Sequence, residues 1–260
     1  MDERPPRVLY RAEDRLAILT LNRPDKRNAL DAATIAELKD AFARAEADNA
    51  VRVVLLRGEG PDFCAGADLA QLEKIAAGTG PLENLDDADA LGELLLTMRR
   101  LRKPIIAAVH GHAFAGGAGL ASAADLVVAS ESARFGYPEV HLGFVPAMVM
   151  ALLRRACGEK VAFELVARGD RIDAAEARRI GLVNRTFQDE TFHEDAVEYA
   201  RELAARSPSA LRLIKRLFYG IDGATVEEAI ARGAEVNVLA RSTDDTREGV
   251  RRFLDRRRGA

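Results

Sequence analysis

An unbroken apolar run that ends in a glycine cluster constrains the fold of this chain more than any other feature. Residues 105–109 (IIAAV) are apolar and bounded by turn residues, which predicts a buried β-strand. Three glycines follow within residues 116–119 (GGAG), and the small residues at 120–124 can pack closely as a helix. Backbone N–H groups at such a junction face outward and can hold an anion or a developing oxyanion. A carboxylate, Glu139, follows about 20 residues later on the next loop.

The rest of the chain predicts an α/β core that carries a helical C-terminal region. Strand-like apolar runs alternate with amphipathic helical patterns in the first part, and the pattern after His193 is almost purely helical. We therefore expect an α/β core at 1–192 and a helical region at 193–260. Asp31 is expected to cap a helix at 32–47. The segment 76–89 has two glycines, a proline and several acids, so we expect a mobile loop there.

The composition is that of a folded globular protein, with 48% hydrophobic and 30% charged residues. A net charge of −3 gives no support to nucleic-acid binding as the main role. Cys64 and Cys157 lie far apart, which favours a reducing compartment over a disulfide framework. The N-terminus is charged where a signal peptide needs an apolar core, and no run reaches the roughly 18 apolar residues of a membrane span. We expect a cytoplasmic protein with no membrane partner.

Five segments, in their order along the chain, resemble the crotonase (enoyl-CoA hydratase/isomerase) superfamily. They are residues 22–30 (NRPDKRNAL), 63–69 (FCAGADL), 108–125 (AVHGHAFAGGAGLASAAD), 135–146 (FGYPEVHLGFVP) and 180–184 (IGLVN). The resemblance implies a crotonase-like α/β spiral of ββα units with a helical C-terminal trimerisation region. It also implies a homotrimer or dimer of trimers, and an acyl-CoA thioester as substrate.

By the same resemblance, the backbone N–H groups of Ala67 and Gly116 form an oxyanion hole. Reactions next to a thioester carbonyl pass through an enolate, whose negative charge lies on oxygen. Two fixed N–H donors at about 3 Å stabilise that charge, and one such donor can contribute about 3 kcal/mol. Both residues are small, so the thioester can approach the backbone. Coenzyme A is part of the substrate, so no separate cofactor is expected.

The resemblance also implies a CoA pocket made largely of main-chain contacts. Its residues are Lys26, Arg27, Ala29, Ala65, Gly66, Asp68 and Leu69. The side chains of Lys26 and Arg27 could reach the CoA phosphates or could be solvated surface charges. Lys215 and Phe218, on a C-terminal helix, could contact CoA from a neighbouring subunit or could have ordinary roles within their own helix.

One departure from the family pattern bears directly on the chemistry. Hydratases of this family generally use two glutamates; the second is present as Glu139, but Gly119 occupies the position of the first. A single carboxylate is sufficient for double-bond isomerisation and marginal for hydration, which needs an activated water and a proton at the α-carbon. Asp68, Asp89 or Glu93 could supply a second acid. Hydration of a 2-enoyl-CoA and isomerisation therefore both stay open.

The histidines provide further alternatives. His112 and His141 lie near the implied site in sequence and could contact substrate or simply hydrogen-bond within loops. His110 and His112 have the spacing of a metal-site start, but the later ligands that such a site needs are lacking, so no metal is expected. A functional alternative is a catalytically reduced homologue that binds CoA thioesters or RNA without turnover.

Overall fold

A computed structural model describes residues 5–78 and 80–258, with an α/β architecture and a helical C-terminal region. The strands within these ranges are β1 (Val8–Glu13), β2 (Leu16–Leu21), β3 (Val53–Gly58), β4 (Ile105–Val109), β5 (His112–Phe114), β6 (Leu126–Ser130), β7 (Arg134–Gly136), β8 (Arg171–Asp173) and β9 (Arg185–Phe187). The strand predicted at 105–109 is confirmed as β4 and is buried at all five residues.

One helix begins at the expected position after Asp31. The helices of the described chain are α1 (Ala32–Ala47), α2 (Leu69–Ala76), α3 (Pro81–Arg100), α4 (Gly116–Ala123), α5 (Ala147–Cys157), α6 (Glu159–Arg168), α7 (Ala174–Arg179), α8 (Phe192–Ala204), α9 (Pro208–Gly220), α10 (Val226–Arg241) and α11 (Asp244–Arg258). The Asp31 side chain accepts a hydrogen bond from the Thr34 N–H, which satisfies one of the free amides at the start of α1.

Within the described residues, the larger sheet has six strands in the order β1-β2-β3-β4-β6-β9. β1 pairs with β2 in antiparallel fashion, and the other neighbours are parallel. A three-stranded sheet, β5-β7-β8, begins directly after β4. The carboxyl ends of β3 and β4 therefore lead into the segments that carry the predicted site.

Both faces of the larger sheet are covered. In β2, Ala17 and Leu19 belong to one core cluster, and Leu16 and Ile18 belong to the other, because successive side chains point to opposite faces. α8 covers the second face with four buried residues at spacings of four: Phe192, Ala196, Ala200 and Ala204. α8 straddles the division at 192/193, because it begins at Phe192, and it packs on the sheet; the division into 1–192 and 193–260 stays a prediction.

The loop expected at 76–89 is wrong, because α3 begins at Pro81 and runs through it. Gly80 is the N-cap and Pro81 stands in the first turn, where its missing N–H removes no helical hydrogen bond. Glu83, Asp86 and Asp89 are exposed on the solvent side of the helix. In the sequence, the combination of a glycine, a proline and several acids indicates a loop. In the structure these residues form the start of a helix with a charged outer face.

The C-terminal helices α9–α11 extend the chain beyond the sheet. Large apolar side chains on them are exposed in the single chain: Ile214, Phe218, Val226, Ile230, Val238, Leu239, Val250, Phe253 and Leu254. Among the described helices, none combines the length and the apolar character needed to cross a membrane.

Candidate active site

The segment 63–68 is held between two other stretches of backbone. On one side, the Phe114 N–H donates a hydrogen bond to the Cys64 carbonyl at 3.0 Å. On the other side, the Leu30 N–H donates to the Gly66 carbonyl at 2.7 Å. This double attachment fixes the backbone of a segment that otherwise has no regular secondary structure.

The N–H of Ala67 points away from Leu30. Leu30 bonds to the residues on either side of Ala67, accepting from Asp68 N at 3.1 Å and donating to Gly66 O. In a parallel bridge of this kind, the N–H and C=O of the middle residue face the opposite side. No backbone carbonyl of the described residues accepts a hydrogen bond from Ala67 N. The Ala67 amide is therefore a free donor.

Gly116 supplies a second free amide, since its N–H donates to no backbone carbonyl of the described ranges. It is the first residue of α4, so its N–H has no acceptor within the helix. A Cβ placed on Gly116 would lie 3.9 Å from the Gly66 Cα and 3.3 Å from Leu30 Cδ1. The backbone of Gly116 therefore lies against the segment that carries Ala67.

The residue before Gly116 has an unusual backbone conformation. Ala115 has φ +50° and ψ −120°, a region that L-residues with a side chain rarely adopt. Its N–H donates to the Gly136 carbonyl at 3.0 Å, which ties this turn to β7. This strained turn sets the position of the start of α4, whose first residue, Gly116, lines the neighbouring cavity.

One cavity of about 660 Å³ brings the three predicted catalytic residues together. Ala67, Gly116 and Glu139 all line it. The other lining residues are Leu30, Ile35, Ala65, Gln71, Asn84, Asp87, Ala88, Leu91, Ala115, Pro138, His141, Leu142, Phe144, Val145, Pro146, Ala147, Met148 and Val149. The walls are mostly apolar, with a few polar groups that converge on the same space.

Glu139 lies in a short 3₁₀ turn, Pro138–Leu142, that follows β7. Tyr137, two residues before Glu139, anchors this turn in the core. Its side chain is buried, and its hydroxyl oxygen is 3.1 Å from Ser122 Oγ. Within the described chain, Glu139 Oε2 is buried and has no hydrogen-bond partner. Burial raises the pKa of Glu139 above its usual value of 4.5. A carboxyl group with a raised pKa holds its proton more firmly than an ordinary glutamate, which suits it to act as a proton donor.

The structure leaves no empty space where the side chain of an acid at position 119 would extend. A Cβ at Gly119 would lie 2.7 Å from Val149 Cγ2, so the α5 side chain fills the place of a longer residue. Asp68 is held by Arg23 at 2.7 Å and does not line the cavity. Asp89 and Glu93 lie outside the lining as well. The structure therefore does not bring any of these three predicted substitutes into the cavity.

Asp87 is a cavity carboxylate that the sequence analysis missed. It lines the cavity from α3, and its Oδ2 accepts a hydrogen bond from Gln71 Nε2 at 2.7 Å. The signal that could have found it is the helical face Asn84, Asp87, Ala88 and Leu91, which becomes visible once Pro81 is recognised as a helix start.

The predicted CoA-pocket residues differ in burial. Ala65 lines the cavity, and Gly66 and Ala29 are buried beside it in the paired backbone segments. Lys26 is exposed at the surface. The backbone of Leu69 starts α2, but its side chain lies outside the part of the chain that the structure describes.

Two predicted pocket residues have ion partners of their own. Asp68 pairs with Arg23, and Arg27 Nε donates to Asp62 Oδ2 at 2.6 Å. His112 Nδ1 also contacts Asp62, at 2.5 Å from Oδ1. Burial acts to raise the pKa of Asp62, but the hydrogen bonds from Arg27 and His112 outweigh it and lower that pKa. Arg27 keeps an exposed face, so its side chain is available at the surface.

The histidines are separated by the fold. His141 lines the cavity two residues after Glu139, with Nε2 at 3.3 Å from the Gly169 carbonyl. His112 belongs to the charged group around Asp62 and does not line the cavity. In the described ranges, no three His, Cys, Asp or Glu side chains are grouped so as to hold a metal ion.

Lys215 is engaged within its own chain. Its Nζ donates to Asp125 Oδ2 at 2.7 Å and to the Met98 carbonyl at 2.9 Å, and the residue is 6% exposed. Of the two roles left open for Lys215, these contacts favour the one within its own chain, because the ammonium group is buried as an anchor of α9. Phe218, in contrast, is 66% exposed.

The fold is that of the crotonase class. Residues 11–260 match the family model described as Enoyl-CoA hydratase/isomerase, and the chain belongs to that family. A Thermus thermophilus protein is 43% identical over 242 residues, with 93% of this chain and 95% of that protein covered.

Two further comparisons support the family over nearly the whole chain. The 2,3-dehydroadipyl-CoA hydratase of Escherichia coli K12 is 35% identical over 252 residues, covering 96% of each chain. The crystal structure of an enoyl-CoA hydratase from Mycobacterium smegmatis superposes with a TM-score of 0.92 at 32% identity, covering 97% of both chains. The predicted crotonase-like α/β fold is thereby confirmed.

Proposed function

We propose that this enzyme of the enoyl-CoA hydratase/isomerase type hydrates a 2-enoyl-CoA thioester, with Glu139 as its acid/base. Double-bond isomerisation is the related reaction that the same groups allow. One observation carries the proposal: a single cavity joins two free backbone amides, those of Ala67 and Gly116, to a buried carboxyl oxygen with no described partner. Relatives named 2,3-dehydroadipyl-CoA hydratase and crotonyl-CoA hydratase support hydration.

The two amides would act on the thioester oxygen. When water adds to the β-carbon, charge moves onto that oxygen, and the Ala67 and Gly116 N–H groups would donate to it. Donors that are fixed before the reaction need no reorganisation, and each can contribute about 3 kcal/mol to the stability of the transition state. Removing a backbone donor by mutation is difficult, so the test falls on the carboxyl group.

Glu139 would exchange a proton with the α-carbon. Its raised pKa increases the protonated fraction near neutral pH, as a proton donor in hydration requires. For isomerisation, the ionised form would take a proton from one carbon and return it to another. One carboxyl group can therefore serve both reactions in this cavity.

The CoA portion would bind along the backbone segments that also position the amides. Lys26, Arg27 and Ala29 lie in one segment, and Ala65 and Gly66 lie in the segment paired with it. Main-chain contacts at these residues would hold the adenine and pantetheine groups. Coenzyme A arrives as part of the substrate, and we propose no further cofactor.

We also propose that the enzyme is a homotrimer or a dimer of trimers. The exposed apolar side chains of α9–α11, such as Phe218, Ile230 and Phe253, form a surface that assembly would cover. Light scattering coupled to size-exclusion chromatography tests this: a mass of three or six times 28.2 kDa is expected, and a monomer would contradict it.

A cytoplasmic location is part of the proposal. Cys64 is buried, Cys157 is half-buried, and both are free thiols in this chain. Unpaired cysteines are usual in a reducing compartment. Fractionation of the native cells, followed by immunoblotting, would test the location directly.

Incubation with thioesters in heavy water tests the reaction. Crotonyl-CoA should gain the mass of one D₂O, whereas the isomerisation step by itself, from a 3-enoyl-CoA to a 2-enoyl-CoA, adds at most exchanged deuterium. Glu139→Gln should lower both rates by about 10²–10⁴-fold while CoA-thioester binding persists. If wild-type protein binds the thioesters but converts neither, it is a catalytically reduced binding homologue. Full activity of Glu139→Gln would show that the base has been assigned wrongly.

A further inference from the structure

A second carboxylate faces the same cavity as Glu139. Asn84, Asp87, Ala88 and Leu91 line it from α3 at spacings of three and four, which is one face of a helix. Of the carboxylates in residues 5–78 and 80–258, those that line this cavity are Asp87 and Glu139. Glu139 approaches from the turn after β7, and Asp87 from α3, so the two acids come from different elements.

The position of Asp87 relative to the free amides follows from its neighbours. Leu91 Cδ2 lies 3.7 Å from a Cβ placed on Gly116, so this part of α3 contacts the start of α4. Asp87 is one helical turn before Leu91, about 5–6 Å along the axis. Its partner Gln71 lies on α2, four residues after Ala67. The Gln71–Asp87 pair therefore spans the two elements adjoining the free amides.

The hydrogen bond from Gln71 orients Asp87. Gln71 Nε2 donates to Oδ2 at 2.7 Å, which occupies one carboxylate oxygen and leaves Oδ1 for another partner in the half-buried cavity wall. A carboxylate held in this manner can accept a proton from a water molecule within the cavity. Asp86, the preceding residue, is exposed and does not line the cavity.

Hydration requires two proton-handling steps, and position 119 contributes no side chain to either. We propose that Asp87, positioned by Gln71, accepts the proton of the water that adds to the 2-enoyl-CoA, while Glu139 delivers a proton to the α-carbon. The inference rests on the function proposed above.

The step balances. The water oxygen bonds to the β-carbon, its proton moves to Asp87, and the π electrons form an enolate held at the Ala67 and Gly116 amides. The Glu139 proton then bonds to the α-carbon, and the thioester carbonyl re-forms. Asp87 later returns its proton to solvent and Glu139 regains one, so the net change is the addition of one water.

The test separates water addition from proton exchange at the α-carbon. Hydration of crotonyl-CoA is measured beside the exchange of the α-protons of butyryl-CoA in heavy water, which needs the enolate but no added water. For Asp87→Asn, we expect hydration to fall by at least about 100-fold, with α-proton exchange within about threefold of wild type. Asp86→Asn should leave both rates unchanged, and Asp87→Glu should recover part of the hydration.

Several outcomes would overturn the inference. Hydration by Asp87→Asn at the rate of Asp86→Asn would show that Asp87 does not handle the proton. A parallel loss of hydration and α-proton exchange would assign Asp87 a structural role. If wild-type protein catalyses neither reaction, the proposed function itself fails, and this result is distinct from the first two because it precedes any substitution.

Discussion

Val149 occupies the space into which a side chain at Gly119 would extend. A Cβ at Gly119 would lie 2.7 Å from Val149 Cγ2, closer than real Cβ contacts allow. Both residues are buried where α4 packs against α5. Packing therefore closes the position at which the family resemblance implies an acid, and Gly119 contributes no carboxylate to the cavity.

This contact predicts a strong coupling between the two positions. Gly119→Ala should lower the free energy of unfolding by about 1–3 kcal/mol, because β-branched Val149 has little rotamer freedom with which to give way. In a Val149→Ala background, the same change should be neutral or stabilising, since alanine is the better helix former. Urea unfolding of the four variants gives the coupling energy. Additive effects would show that the two side chains do not compete for the space.

The parts of the fold with strong local patterns were predictable from the sequence. The helix capped by Asp31 and the buried strand at 105–109 appear where expected, because their signals lie within a few residues. Strands β5, β7 and β8 have three residues each, too few for a periodic pattern to show. Their pairing depends on segments far apart in sequence, such as Phe135 with Ile172.

The site was predictable where it rests on motifs, and less so where it rests on packing. Ala67, Gly116 and Glu139 come from quoted motifs, and the structure brings them to one cavity, although their roles stay predictions. Asp87 was missed because its segment was interpreted as a loop. The burial of Lys215 could not be anticipated either, since its partner Asp125 is 90 residues away.

The backbone of Ala115 predicts an unusual response to glycine. Its φ of +50° and ψ of −120° cost an L-residue about 1–3 kcal/mol, and glycine removes that strain. Glycine also gains freedom in the unfolded chain, so Ala115→Gly should raise the free energy of unfolding by about 1 kcal/mol net. Ala118→Gly, inside α4, should lower the free energy of unfolding by about 1 kcal/mol or more. Equal losses in chemical denaturation would contradict the strain at Ala115.

Removing the Lys215 ammonium group should cause a large loss of stability without a direct effect on substrate binding. Asp125 accepts from Lys215 and, through its other oxygen, from the Tyr219 hydroxyl at 2.5 Å. Removing one member of a buried ion pair leaves the other charge uncompensated, so Lys215→Met should cost about 3–5 kcal/mol. Arg216→Met, at the exposed neighbouring position, should change stability by less than about 0.5 kcal/mol. Thermal unfolding with a CoA-thioester titration separates the two effects; a loss of affinity in a folded Lys215→Met protein would restore a binding role.

Replacing Glu139 with a neutral residue should raise the stability of the protein by an amount that depends on pH. Its folded-state pKa is raised by burial above the usual 4.5, so its protonated form favours folding below about pH 4.5, and this contribution is lost as the pH rises through the raised value. As the pH rises through the raised value, the ionised form that accumulates is a poorly solvated charge, which glutamine avoids. Glu139→Gln should therefore be more stable than wild type at pH 7.5, and this advantage should shrink toward pH 4. Urea unfolding at pH 7.5 and at pH 4 measures this difference in stability, with Glu131→Gln at an exposed position as the matched control. An advantage of Glu139→Gln that grows toward low pH would show that the Glu139 carboxylate is stabilised rather than destabilised by its surroundings.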